Sequence, residues 1–116
     1  MPTPTALHDP QIARTDRGAV TRCPCCGDLD LRFDGVDVTL TAPQLRRMHR
    51  TVATVRTDAA DAPWGWALRA ETDRQTAVFR LVGDDTDALA DLLDAAVAVL
   101  DLDALLLDAL GPRPAA

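Results

Sequence analysis

The chain has 116 residues and a formal net charge of −6, with 12 basic residues against 18 acidic ones. This length fits one small domain, and 47% hydrophobic with 26% charged residues is typical of a folded chain. No apolar run approaches the roughly 20 residues that span a bilayer, and the first ten residues lack a secretory signal pattern. We therefore expect a cytoplasmic protein. Its negative charge argues against general nucleic-acid binding, because phosphates would be repelled.

The charged residues are of unusual kinds. All twelve basic residues are arginine, and every acidic residue except Glu71 is aspartate. A surface rich in short carboxylates and free of lysine resembles proteins of salt-accumulating microbes, although a GC-rich genome favours the same residues. The halophilic interpretation predicts poor folding in dilute buffer, where repulsion between carboxylates is weakly screened.

Two hydrophobic alternations flank Asp34-Gly35, a dipeptide typical of two-residue hairpin turns. The implied register places six apolar side chains on one face, as the pairs Phe33–Val36, Leu31–Val38 and Leu29–Leu40. A shorter strand near 18–23 is expected before this hairpin. Residues 1–17 and 111–116 are proline-containing and aperiodic, so we expect disordered tails around a single domain at 18–110.

Helical signals follow each of two strand regions. Thr41 and Gln44 form a capping box, and the apolar residues after it recur at helical spacing. Alternation around Trp64 and Trp66, and again around Phe79, predicts two more strands, with the tryptophans facing inward or forming an exposed platform. A helix follows from Thr86 to Leu110, either continuous or broken near Asp101.

These elements predict an α+β fold: an antiparallel four- to five-stranded sheet with two helices on one face, ordered β-β-β-α-β-β-α. The repeated strand–helix order suggests a duplicated ββα unit. Leucines surround the last turns of the final helix, which favours an oligomer, with a homodimer formed through this helix. The arginines of the first helix are expected to pair with the aspartates spaced by seven on the second (Arg46, Arg47, Arg50 and Arg56; Asp87, Asp94, Asp101 and Asp108).

One local motif contains residues that are able to bind a metal ion. Cys23-Pro24-Cys25-Cys26-Gly27 contains the pattern C-P-x-C-G and resembles the knuckle of zinc ribbons and rubredoxins. That resemblance implies metal binding by Cys23 and Cys26, but a tetrahedral zinc site takes four ligands. Further ligands would come from a second copy, from Cys25, or from a histidine (His8 or His49). Cys25 is expected to point away from the other two thiols.

Three interpretations of this motif remain open: a zinc half-site completed across a dimer, a thiol redox site, or a structural turn with reduced cysteines. No helix N-terminus adjoins the motif to lower a thiol pKa, which argues against redox chemistry. With three cysteines, an odd number, a secreted disulfide framework is not expected.

The order of cysteine turn, hairpin, helix, Trp-bearing strand and acidic-capped helix resembles a family of small bacterial proteins of unknown function, over about residues 19–98. That resemblance implies a fold and no activity. The chain has no serine and no recognisable catalytic or phosphate-binding motif, so we expect a non-enzymatic interaction or regulatory module, without a certain cofactor, that binds a protein partner. A small zinc-binding protein is the alternative, and a thiol oxidoreductase the third.

Overall fold

The computed structural model describes residues 11–58 and 65–109. The elements in chain order are β1 (Gln11–Thr15), β2 (Gly18–Arg22), β3 (Leu29–Phe33), β4 (Val36–Leu40), α1 (Ala42–Asp58), β5 (Trp66–Glu71), β6 (Thr76–Leu81) and α2 (Asp85–Ala109). The α+β class and the predicted order of strands and helices are confirmed, with one additional strand at the start.

That additional strand corrects the expected N-terminal tail. Gln11–Thr15 forms β1 and pairs antiparallel with β2, so residues 11–17 belong to the folded domain, whereas residues 1–10 lie outside the described part. Only Ala13 is fully buried in this strand, which explains why no hydrophobic alternation marks it. Its position depends on pairing with β2, which the sequence encodes weakly, and on packing against α2, which is distant in sequence.

The central hairpin has the predicted register. Leu29 pairs with Leu40, Leu31 with Val38, and Phe33 with Val36. Asp34 and Gly35 have φ angles of 50° and 81°, as the two central residues of a type I′ turn require. The apolar face of β3 and β4 is buried except for half-buried Val36, and it lies under the helices.

The predicted capping box begins α1. Gln44 donates its backbone N–H to Oγ1 of Thr41 at 3.3 Å, and Thr41 donates its own N–H to Oε1 of Gln44 at 2.8 Å. Leu45, Met48 and Val52 are buried on the inner side of the helix. These reciprocal bonds satisfy two N–H groups that the first turn would otherwise leave unpaired.

The strands form two sheets rather than one. β1 to β4 make a four-stranded antiparallel sheet, and β5 pairs with β6 in a separate hairpin beside β4. The Gln75 side chain joins the two: its Oε1 accepts from the Thr39 N–H, and its Nε2 donates to the Asp37 carbonyl, each at 3.3 Å. A side-chain amide thus occupies the edge of β4 where a fifth strand would pair. The suggested duplication of a ββα unit is consistent with the element order and stays a prediction.

The helix α2 is continuous over 25 residues, so the break considered near Asp101 does not occur. The two helices pack against each other and cover the four-stranded sheet, α2 over β1 and β2 and α1 beside β4. Trp66 is half-buried and packs against the core, as the inward-facing interpretation expects, while Trp64 lies outside the described residues. Within the described ranges, neither helix combines the length and hydropathy needed to cross a membrane.

Candidate functional site

The cysteine motif forms a tight turn between β2 and β3. The Gly27 N–H donates to the Cys23 carbonyl, and the Cys23 N–H donates to the Asp28 carbonyl, both at 2.8 Å. Gly27 has a φ of 79°, a conformation that glycine adopts without strain. The backbone of the turn is therefore fixed at both ends, while Cys25 and Cys26 are exposed and Cys23 is half-buried.

The turn gathers all three thiols. The Sγ atoms of Cys23, Cys25 and Cys26 lie within 4.8 Å of one another, and those of Cys23 and Cys25 are 3.0 Å apart. The expectation that Cys25 points away from the other two is wrong, because the turn is tight enough to return the third side chain to the first. The Cys25 side chain is also exposed.

Hydrogen bonds within the cluster shift the thiol equilibria. The thiols of Cys25 and then Cys26 donate to the Cys23 sulfur, and together with backbone N–H groups they lower the pKa of Cys23 to about 7. The same contact raises the pKa of Cys25, because its proton is held by Cys23. The sequence argument considered only a helix N-terminus, which this turn lacks, whereas neighbouring thiols supply the same lowering of the pKa.

His49 does not join the cysteines in the described structure. His49, on α1, has its Nε2 atom 2.6 Å from Oδ1 of Asp94 on α2 and is not part of the three-thiol cluster. His8 lies outside the described residues.

The His49 contact belongs to a row of polar pairs between the helices. Three of the four aspartates spaced by seven on α2, Asp87, Asp94 and Asp101, contact α1 along this row, and their side chains stay exposed. The predicted pairing is confirmed for two arginines of α1, with distances of 2.8 Å for Arg56–Asp87 and 2.7 Å for Arg46–Asp101.

The last turns of α2 expose apolar side chains. We call residues 102–109 the leucine segment; Leu102, Leu105, Leu106 and Leu107 in it are 52–72% exposed. The preceding turns are different, since Leu89, Leu92 and Leu93 are fully buried. Leu110, which belongs to the same sequence pattern, lies outside the described residues.

Two ion pairs join the start of the leucine segment to the domain, one through Asp103 and one through Asp101, the residue before the segment. Nη2 of Arg22, on β2, donates to Oδ2 of Asp103 at 2.7 Å. Nη1 of Arg46, on α1, donates to Oδ1 of Asp101 at the same distance. These contacts fix the direction of the helix where it leaves the sheet, and the leucines face solvent beyond them.

A groove lies between α1 and the β4–β5 side of the domain. It is lined by apolar side chains, among them Met48 and Leu68, and by the charged side chains Arg47, Arg69 and Glu71. Arg47 and Arg69 are exposed, and Nε of Arg69 lies 3.3 Å from Oε1 of Glu71 in a solvated pair. The charged residues give this groove a net charge of +1 in a chain of net charge −6. Sequence reasoning missed it because its walls come from three elements, β4, α1 and β5, which only the tertiary fold brings together.

Comparisons with protein-family models, curated proteins and solved structures find no match for this chain.

Proposed function

We propose that the protein is a non-enzymatic interaction module that self-associates through the leucine segment. The exposure of its four leucines carries this proposal, because a soluble monomer rarely presents clustered large apolar side chains to water. Leu102, Leu105 and Leu106 are spaced i, i+3 and i+4, so they share one helix face and could enter a single groove.

The proposed occupant of the groove between α1 and the β4–β5 side is the leucine segment of a second copy of this chain. The helix α2 contains no basic residue between Asp85 and Ala109, whereas the groove carries Arg47 and Arg69 beside apolar side chains. The segment therefore matches the groove in charge, and half-buried Leu68 offers it an apolar contact. If each copy gives its segment to the other, two equal contacts form and the assembly closes as a two-fold dimer.

The proposed setting is the cytoplasm, where the three free thiols would stay reduced. The proposal requires no catalytic residue.

Sedimentation velocity over a range of protein concentrations tests self-association. The wild-type chain should shift from monomer to dimer as concentration rises. Leu105→Glu should weaken the association constant roughly 1000-fold, because the two-fold dimer buries two copies of this leucine and each contributes about 2 kcal/mol. Val78→Glu is the matched control, since Val78 is also an exposed large apolar residue but lies on β6. A wild-type chain that stays monomeric throughout, or equal weakening by both variants, would contradict the proposal.

Substitution of a groove residue tests whether the groove receives the leucine segment. Arg47→Glu should weaken self-association, whereas Arg74→Glu, in the exposed β5–β6 turn, should change it little. If Leu105→Glu abolishes the dimer and Arg47→Glu leaves it intact, the segments pack against each other and the groove is not the receptor.

A further inference from the structure

The cysteine turn is an exposed cluster that self-association through the leucine segment does not use. We propose that Cys23, Cys25 and Cys26 together bind one soft, thiol-seeking cation, Zn²⁺ or Cu⁺, through three sulfur ligands. Packing does not account for these residues, because two of the three side chains are exposed. Exposed free thiols of this kind are able to react or to bind a metal ion.

The composition of the cluster selects the kind of ion. Among the described residues, the group of closely spaced potential ligand atoms at this turn consists of three sulfurs, with no carboxylate or imidazole in it. Thiolate ligands favour Zn²⁺ and Cu⁺, whereas Mg²⁺ and Ca²⁺ require oxygen ligands. An all-sulfur cluster therefore points away from the hard cations that the many aspartates of this chain would attract.

The spacing of the sulfurs is close to that of a bound ion. Zn–S bonds of about 2.3 Å in a tetrahedral site place neighbouring sulfurs roughly 3.8 Å apart. The three sulfurs already lie within 4.8 Å of one another, and those of Cys23 and Cys25 are 3.0 Å apart. A rotation of exposed side chains is enough to open that pair, and the hydrogen-bonded backbone of the turn need not move.

Thiol ligands coordinate as thiolates, so ion binding releases thiol protons to water and affinity should rise with pH.

Three ligands from one chain leave a coordination position open if the ion is tetrahedral. This differs from the four-cysteine site shared across a dimer that the sequence motif suggests, since each chain would bind its own ion. Water would occupy the open position on this exposed turn, as it does in zinc sites with three protein ligands.

Titration of the reduced full-length chain under anaerobic conditions tests the proposal. Zn²⁺ and Cu⁺ are titrated separately in competition with a chromophoric chelator, and the ion that is held more tightly is assigned to the site. We expect one ion per chain. Each of Cys23→Ser, Cys25→Ser and Cys26→Ser should lower affinity at least tenfold, because even an outer-shell partner contributes roughly 10- to 100-fold. His49→Gln is the matched control and should bind as the wild type does.

Cys25→Ser distinguishes this site from a two-cysteine C-x-x-C pair. Unchanged affinity in that variant would overturn the three-sulfur proposal, and so would a reduced wild-type chain that competes for neither ion. Circular dichroism of each variant verifies that the fold is retained. Leu105→Glu should bind the ion normally, so this proposal and the self-association proposal can fail separately.

Discussion

Arg22 donates a 2.7 Å hydrogen bond to Asp103 and thereby joins the residue before the cysteine turn to the leucine segment. Both side chains are partly shielded from solvent, with 35% and 41% of their surface exposed. The two candidate surfaces of this protein therefore lie at the same end of the molecule. An ion bound at the turn would lie beside the helix whose leucine segment we propose to dock into the groove of a second copy.

The thiol equilibrium predicts the pH dependence of alkylation. The thiolate is the nucleophile, so the rate at Cys23 should reach half its maximum near pH 7. Cys25→Ala removes the largest cause of the lowered pKa and should move this midpoint up, toward the usual value of about 8.5. Iodoacetamide labelling at a series of pH values, read by peptide mass spectrometry, measures both midpoints. A midpoint near 8.5 in the wild type would contradict the hydrogen-bonded cluster.

Close packing at the start of β2 predicts that adding one methyl group at Gly18 destabilises the fold. A Cβ on Gly18 would overlap the Arg32 carbonyl oxygen and lie 3.1 Å from Cδ2 of Leu92 on α2. Gly18→Ala should therefore lower the free energy of unfolding by about 1–3 kcal/mol, as overpacking commonly does. Urea denaturation measures this loss.

Gly35→Ala is the comparison for that substitution. Gly35 has open space around its Cα but a φ of 81°, so alanine there should cost about 1 kcal/mol through backbone strain alone. Wild-type stability in Gly18→Ala would show that Gly18 does not approach the Arg32 carbonyl on β3 and Leu92 on α2 as closely as described.

The side-chain bridge of Gln75 predicts local exchange behaviour. Gln75→Glu keeps an acceptor for the Thr39 N–H but replaces the donor to the Asp37 carbonyl with a second carboxylate oxygen. Two facing acceptors repel, so the hairpin should separate from β4 and expose the Thr39 amide. We expect hydrogen exchange at Thr39 to accelerate roughly fivefold, for a loss of about 1 kcal/mol. Arg74→Ala, in the same turn, is the control, and unchanged Thr39 exchange in Gln75→Glu would contradict the bridge.

Elements defined by neighbouring residues could be predicted from the sequence. The β3–β4 register followed from alternation around Asp34-Gly35, and the start of α1 followed from Thr41 and Gln44, which bond across three residues. The pairing of Arg46 and Arg56 on α1 with the aspartates spaced by seven on α2 followed from charge and spacing. In each case the deciding interactions are local or repeat at a regular period.

Features that depend on distant contacts could not be predicted. The strand β1 lacks a hydrophobic pattern and is placed by β2 and α2, while Gln75 reaches β4 across 36 residues. The position of Cys25 depends on the detailed path of a five-residue turn, for which the C-x-x-C pattern was a poor guide. The need for high salt, suggested by the arginine and aspartate composition, stays a prediction.

Mixing two association-defective variants tests most directly whether the leucine segment of one copy docks into the groove of another. Leu105→Glu alters the segment and Arg47→Glu alters the groove, so each should sediment mainly as a monomer alone. A mixture restores one intact contact, between the normal segment of one chain and the normal groove of the other. We expect its average mass to rise above that of either variant at the same total concentration. A mixture that stays as monomeric as its components would contradict docking of the leucine segment into the groove.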